Sequence, residues 1–282
     1  MKEIAKDIFI ESNFSGVVVG VIRTLRGLIL IDAPFRLEDQ HAWREALQNI
    51  DGGSNRVLIN LDTHIDRTLG VKGMSSVVIA QEKAVSMLKN RPSSSRAQDM
   101  DAGAMWEVYE GLSSIRWVSP EITFANRLFL NMDERRVIFE HHSGANVAGV
   151  WVKVQHAKVV FVGDSVLINQ PPFLAYADLD AWLVDLKLLL SSEYRDYLIV
   201  SGRDGLVTKD DIREMVKLIK SIQRSLIRLI DKNMDAEGIS SLAARMLRRY
   251  DSKKAYKETY LNRLRWGISM YYDKQLRPEK DK

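Results

Sequence analysis

The sequence predicts an α/β protein whose layered β-sheets are covered by helices and followed by a helical extension. Two observations predict this class. Short runs rich in Val, Ile and Leu recur between residues 16 and 201 and alternate with segments whose apolar residues are three or four apart, as in sheets packed against helices. From residue 208 onward only the helical spacing remains, which indicates a helical extension.

The first predicted elements follow the order strand, strand, helix, strand. Residues 16–24 and 27–34 are rich in Val, Ile and Leu and meet at a turn that contains Gly27, as in a hairpin of buried strands. Residues 37–50 place apolar side chains on one helical face, and residues 57–60 form a short apolar run typical of a buried strand.

The next elements repeat these two patterns. A strand at 75–80 and a helix at 81–90 precede a loop at 90–103, where Pro and Ser residues interrupt the periodicity. Further strands are predicted at 121–124, 127–131, 136–141, 148–154, 157–162 and 197–201, with a helix at 178–191.

The last part of the chain is predicted to be helical throughout. Ile212, Met215 and Ile219 begin a series of apolar residues at three- and four-residue intervals, which predicts one long amphipathic helix. Two further helices are predicted at 238–250 and 253–274.

Charge divides the chain at the same place. Residues 206–282 hold 19 Lys and Arg against 11 Asp and Glu, whereas residues 1–205 hold 22 against 26. We therefore predict a main domain at 1–205 and a basic helical extension at 206–282. Basic and aromatic residues together can bind nucleic acid, but we favour solvated helix faces with aromatics packed on the main domain. The residues concerned are Arg245, Arg248, Arg249, Lys253, Lys254 and Lys257, with Tyr250, Tyr256, Tyr260 and Trp266 between or near them.

Composition excludes several classes of protein. With 282 residues, 46% hydrophobic and 28% charged, the chain is long enough for a large core and is not typical of a disordered protein. The absence of cysteine excludes disulfides, thiolate nucleophiles and Cys-ligated zinc. No apolar run approaches the roughly 18 residues of a membrane span, and the first residues lack the apolar core of a signal peptide. We expect a cytoplasmic protein.

Chemically distinctive residues lie in four loops, each directly after a predicted strand. Asp32 ends the second strand, and the sequence Asp-Thr-His-Ile-Asp-Arg occupies residues 62–67. Gly163 and Asp164 follow a later strand, and Gly-Arg-Asp-Gly at 202–205 follows the last one. Loops at strand ends bring distant residues together. Carboxylates and an imidazole so close in sequence are typical of a metal site, but arginine is not a metal ligand.

The order and spacing of these loops resemble the metallo-β-lactamase fold, over roughly residues 8–205. The resemblance implies a four-layer αββα sandwich. Members of that superfamily bind one or two metal ions, usually zinc, and mostly hydrolyse esters, amides, thioesters or phosphodiesters. Their central HxHxDH motif corresponds to residues 62–67, so the resemblance implies a divergent member with a degenerate motif.

Only part of the family's ligand set is matched. His64, Asp66 and Asp164 correspond to family ligands, and Asp62 replaces a histidine. Arg67, Ala145 and Arg203 stand where the remaining histidines belong. The resemblance thus leaves Asp62, His64 and Asp164 for a first metal, with His141 or His142 as an alternative source of imidazole.

The second metal position has two carboxylates and two arginines. A guanidinium is always protonated and has no lone pair for a metal, whereas its planar fork suits carboxylates. Arg67 and Arg203 are therefore predicted to hold Asp66 and Asp164 by ion pairs that replace the second metal. The predicted cofactor is none, or one divalent ion such as zinc or manganese.

Two classes of function follow. The first is a non-catalytic protein for binding, regulation or assembly, whose partner is a protein or a small anionic ligand; Arg67 and Arg203 are candidates to bind such an anion. The alternative is a divergent mononuclear hydrolase, with Asp62, His64 and Asp164 on the ion and Asp66 as the catalytic residue that orients water or accepts its proton.

Overall fold

The computed structural model describes most of the chain, and the predicted loop at 90–103 lies largely outside the described residues. Those residues are 1–52, 55–91, 103–109, 117–132, 136–231, 236–250 and 254–276.

The first sheet has seven strands within the described residues, in the same order as the sequence. Pairing is antiparallel among the first four strands and parallel among the rest. The predicted hairpin is therefore present as the third and fourth strands, and the two strands before it were not predicted, because four-residue runs carry too little periodicity. The strands are β1 (Lys2–Ala5), β2 (Ile8–Glu11), β3 (Val19–Thr24), β4 (Gly27–Ile31), β5 (Arg56–Ile59), β6 (Val77–Gln81) and β7 (Ile122–Phe124).

The second sheet has six strands in the described part of the chain, with the last strand at one edge and the eighth at the other. Its pairing is antiparallel except between β11 and β12, which run parallel. The strands are β8 (Arg127–Asn131), β9 (Arg136–His141), β10 (Val150–Val154), β11 (Val159–Phe161), β12 (Leu198–Ser201) and β13 (Gly205–Val207).

Apolar side chains from both sheets form the central core. Ile29 and Ile59 of the first sheet and Phe139, Val152 and Phe161 of the second belong to one buried cluster. Alternation along each strand directs these residues toward the opposing sheet. The outer face of each sheet is covered by helices, which completes the predicted four-layer αββα sandwich. The helices are α1 (Leu37–Gln48), α2 (Ile65–Thr68), α3 (Lys83–Lys89), α4 (Leu179–Leu189), α5 (Lys209–Asp231), α6 (Ala236–Leu247) and α7 (Lys257–Leu276).

The C-terminal helices share a hydrophobic core with the second sheet. Ile212 and Ile219 of α5 and Leu264 of α7 lie in the same buried cluster as Trp151 of β10 and Trp182 of α4. The long amphipathic helix predicted from the sequence is α5, and its apolar stripe faces this cluster. None of the helices in the described ranges has the length and apolar content needed to cross a membrane.

Candidate active site and its ion pairs

Parallel strands bring the chemically distinctive loops to one edge of the sandwich. β4 and β5 run parallel, so Asp32 and Asp62 leave the first sheet at the same edge. β11 and β12 run parallel in the second sheet, which places Asp164 and Arg203 together in the same way. All four side chains are buried.

The short helix α2 places the rest of the motif. The Asp62 carboxylate accepts a hydrogen bond from the His64 backbone N–H at 2.8 Å, and the Thr68 hydroxyl donates to the His64 carbonyl at 3.0 Å. These local bonds stabilise the turn into α2. Asp66 and Arg67 follow inside the helix, and both are fully buried.

Arg67 lies at the centre of the site and contacts three carboxylates. Its Nη1 donates to Asp32 Oδ2 at 2.7 Å, and its Nη2 donates to Asp164 Oδ1. Its Nε is 3.0 Å from Asp62 Oδ1, at an angle that does not make a hydrogen bond, so we regard this contact as ionic. All three guanidinium nitrogens therefore face a carboxylate.

Arg203 makes a second set of ion pairs. Its Nε is 3.0 Å from both oxygens of Asp164. Its Nη1 donates to Asp66 Oδ2 at 2.7 Å and to the Gly16 carbonyl at 2.9 Å. Asp66 also accepts the backbone N–H groups of Met105 and Trp106. Arg203 Nη2 is buried without a hydrogen-bond acceptor.

These charges shift one another's pKa values. Burial opposes ionisation of Asp62 and Asp164, but neighbouring guanidinium groups outweigh it and hold the pKa of both carboxyls below the usual range. Asp32 behaves differently, because burial outweighs the Arg67 charge and raises its pKa to about 6. Burial likewise opposes the charged form of Arg67, yet the three carboxylates raise its pKa further.

Comparisons with known proteins identify the fold. Neither a family model nor a curated protein sequence matches the chain, whereas many solved structures do. A metallo-beta-lactamase from Pontibacter korlensis has 17% identity and a TM-score of 0.57, with 78% of this chain and 97% of that chain covered. The metallo-beta-lactamase family protein of Thermus thermophilus has 14% identity and a TM-score of 0.66, with 97% and 95% covered. The chain has the metallo-β-lactamase fold.

The stereoselective inverting sec-alkylsulfatase Pisa1 from Pseudomonas sp. is also similar. Its TM-score is 0.68 at 14% identity, with 97% of this chain but 50% of that chain covered. Identities this low show the shared metallo-β-lactamase fold alone, so function has to be argued from the site.

One group of possible metal ligands exists among the described residues. The donor atoms of Asp62, His64 and Asp164 all lie within 4.8 Å of one another. His64 Nδ1 is 3.1 Å from Asp62 Oδ1 and 3.3 Å from Asp164 Oδ2. The donors are close enough for an ion, but Arg67 contacts both carboxylates. As arranged, the charges fit a guanidinium rather than a divalent ion.

The two histidines suggested as substitute ligands do not join this group. His141 Nε2 is 2.9 Å from the Val147 carbonyl. His142 Nδ1 is 2.8 Å from Asp185, and its ring stacks on Trp151 with 3.7 Å between the centroids. Ala145 is buried in the cluster under α4. His142 thus packs on Trp151 of the second sheet, whereas His141 contacts a carbonyl of its own loop.

Gly202 has a role that its place in a turn does not reveal. An added Cβ would be 2.5 Å from Arg67 Nη1, so the missing side chain leaves the space that the guanidinium fills. The sequence does not reveal this contact, because Arg67 is 135 residues away from Gly202 in the chain.

Arg263 is a site residue that sequence reasoning missed. It belongs to α7 and is fully buried, with its Cζ 3.8 Å from the centre of the Phe173 ring. The ring of Phe173 also lies 4.3 Å from that of His64. The basic residues noted in the sequence are different ones: Arg245, Arg248, Arg249 and Lys257 are exposed, and Lys253 lies outside the described residues.

Proposed function

We propose that this chain is a metal-independent member of the metallo-β-lactamase fold that acts in binding, regulation or assembly. Its degenerate motif replaces the metal centre by arginine–aspartate ion pairs. The observation that carries the proposal is the guanidinium of Arg67, which contacts Asp32, Asp62 and Asp164 at once.

Electrostatic repulsion supports this proposal. A divalent ion held by Asp62 and Asp164 would lie beside the Arg67 guanidinium. At a separation of about 4 Å and an effective dielectric constant of about 20, charges of +2 and +1 repel by roughly 8 kcal/mol. Arginine cannot relieve this by losing its proton.

The charge balance of the site supports it as well. Among the described residues, the site contains the carboxylates of Asp32, Asp62, Asp66 and Asp164 and the guanidiniums of Arg67, Arg203 and Arg263. The arginines thus supply the positive charge that metal ions would bring. Without a metal, the site lacks the usual means of making a hydroxide nucleophile at neutral pH.

A divergent mononuclear hydrolase is the second candidate, and the closeness of the Asp62, His64 and Asp164 donors favours it. Asp66 would then be the catalytic residue. Both of its oxygens already accept backbone N–H groups, and one also pairs with Arg203. A base held in this way is poorly placed to accept a proton from water, so we rank this candidate second.

The test is the metal content of protein purified without chelator, followed by titration with zinc and with manganese. We expect much less than one ion per chain and no saturable binding. His64→Ala removes the candidate imidazole ligand, and His41→Ala, at an exposed position of α1, is the matched control for adventitious binding. One ion per chain that His64→Ala removes and His41→Ala retains would replace our proposal with the mononuclear hydrolase.

A further inference from the structure

We propose that Arg263, Arg203 and Trp106 form a receptor for the carboxylate group of a small ligand. This site lies where α7 meets the buried aspartates of the candidate active site. The inference deepens the proposed function, because it assigns a ligand class to the metal-free site and needs Arg203 to face a ligand rather than a metal.

Arg263 is a buried cation with neutral partners only. Its Nε donates to the Gly103 carbonyl at 2.8 Å. Its Nη1 donates to the Gln170 side chain at 2.8 Å and to the Pro171 carbonyl at 2.9 Å. None of the described carboxylates forms a salt bridge with it, and its Nη2 has no acceptor. Buried charges are normally paired, because an unpaired one is costly.

Aromatic contacts do not satisfy these free donors. The Cζ atoms of Arg263 and Arg203 lie 3.8 and 4.5 Å from the centre of the Phe173 ring. Stacking of this kind uses the face of a guanidinium, whereas the N–H groups lie in its plane. The Nη2 atoms of both arginines therefore keep unmet hydrogen-bonding capacity beside one ring.

Trp106 supplies a third unpartnered donor, on the segment that contacts Asp66 and Arg263. Its Nε1 is also buried without an acceptor, and its backbone N–H donates to Asp66, the ion-pair partner of Arg203. Gly103, three residues earlier, accepts the bond from Arg263 Nε. Residues 103–106 thus contact Arg263 directly and Arg203 through Asp66.

Electrostatics selects the class of ligand. Burial and the nearby Arg203 charge together lower the pKa of Arg263 to about 10, so a negative group beside these arginines would be stabilised. The site as a whole already has more carboxylates than guanidiniums among the described residues, which disfavours a dianionic phosphate. A single carboxylate can accept from two guanidinium groups and an indole at once.

The experiment is a titration of the chelator-treated full chain with sodium acetate, followed by thermal denaturation and calorimetry. Sodium chloride and inorganic phosphate at matched ionic strength are the comparison anions. We expect saturable stabilisation by acetate that exceeds that of both other anions. Stronger stabilisation by phosphate would overturn the carboxylate assignment, and equal effects of all three salts would overturn the site.

Variants locate the binding on Arg263. Arg263→Gln should weaken acetate binding by about tenfold or more, since it removes a charged hydrogen bond. Arg265→Gln, at an exposed position two residues along the same helix, should leave the affinity unchanged. Trp106→Phe removes the indole N–H while keeping the charge and an aromatic ring, and it should weaken binding several-fold, which keeps the test open if Arg263→Gln fails to fold.

Unchanged affinity in both Arg263→Gln and Trp106→Phe would refute the receptor. Metal analysis of each protein before its chelator treatment separates this result from the proposed function. Stoichiometric metal with normal acetate binding would overturn the metal-free proposal and leave the receptor, whereas metal-free protein without acetate binding would do the reverse.

Discussion

Replacing Arg67 by methionine should destabilise the protein and create a metal-dependent stability that the wild type lacks. Methionine fills much of the same space but removes the charge that faces Asp32, Asp62 and Asp164. Removing one partner from a buried ion pair typically costs about 3–5 kcal/mol.

Arg67→Met breaks three contacts with carboxylates, but the structure indicates that the free energy of unfolding should fall by the cost of about one ion pair. Asp164 keeps Arg203 as a partner, and Asp62 keeps the contacts of His64. Asp32 is left with neutral donors, the Leu61 backbone N–H and the Asn60 amide. Because its pKa is already about 6, Asp32 can become protonated and limit the loss. We therefore expect about 3–5 kcal/mol in total, or a fall in Tm of roughly 6–10 °C for a chain of this size.

A divalent ion should restore part of the loss in this variant. At a concentration of about 100 times Kd, binding to the folded state alone adds about 2.7 kcal/mol, which is more than half of the expected loss. The assay is thermal and urea denaturation of wild type and Arg67→Met, each with chelator, with zinc and with manganese. Arg265→Met, at the exposed position of α7, controls for the loss of an arginine. A loss below about 1 kcal/mol, or equal metal stabilisation of the wild type, would refute the reasoning.

Two further predictions concern neighbours of Arg67. Gly202→Ala should cost about 1–3 kcal/mol in urea denaturation, because the new Cβ would meet a guanidinium that three carboxylates hold in place; a neutral result would mean that Arg67 moves freely. Burial raises the pKa of Asp32 from 3.8 to about 6. Protonated Asp32 therefore stabilises the folded state fully below pH 3.8, and this stabilisation is lost as the pH rises through 6. Relative to Asp32→Asn, the free energy of unfolding of the wild type should therefore fall by about 2.4 kcal/mol between pH 4 and 7, and parallel pH profiles would contradict this.

The sequence by itself determined the layered fold and the approximate place of most elements. Apolar periodicity shows which face of an element is buried, so the hairpin of β3 and β4 and the long helix α5 could be read directly. The sequence also predicted that Asp62, Asp164, Arg67 and Arg203 lie at one edge of the sandwich, because loops that follow parallel strands emerge on the same side. The strands β1, β2 and β13 and the short helix α2 were missed, since three or four residues do not establish a period.

Tertiary structure alone decided how the charges are paired and what surrounds them. Arg67 contacts Asp32, which sequence reasoning had not paired with it, and Gly202 provides the space for that contact. Arg263 comes from α7 and lies against Phe173, although nothing in its sequence context distinguishes it from the exposed Arg265 nearby. The periodicity of apolar residues shows only which side of its own helix or strand a side chain faces. Which distant side chain it meets depends on how helices and sheets pack, and that packing is set by the whole core.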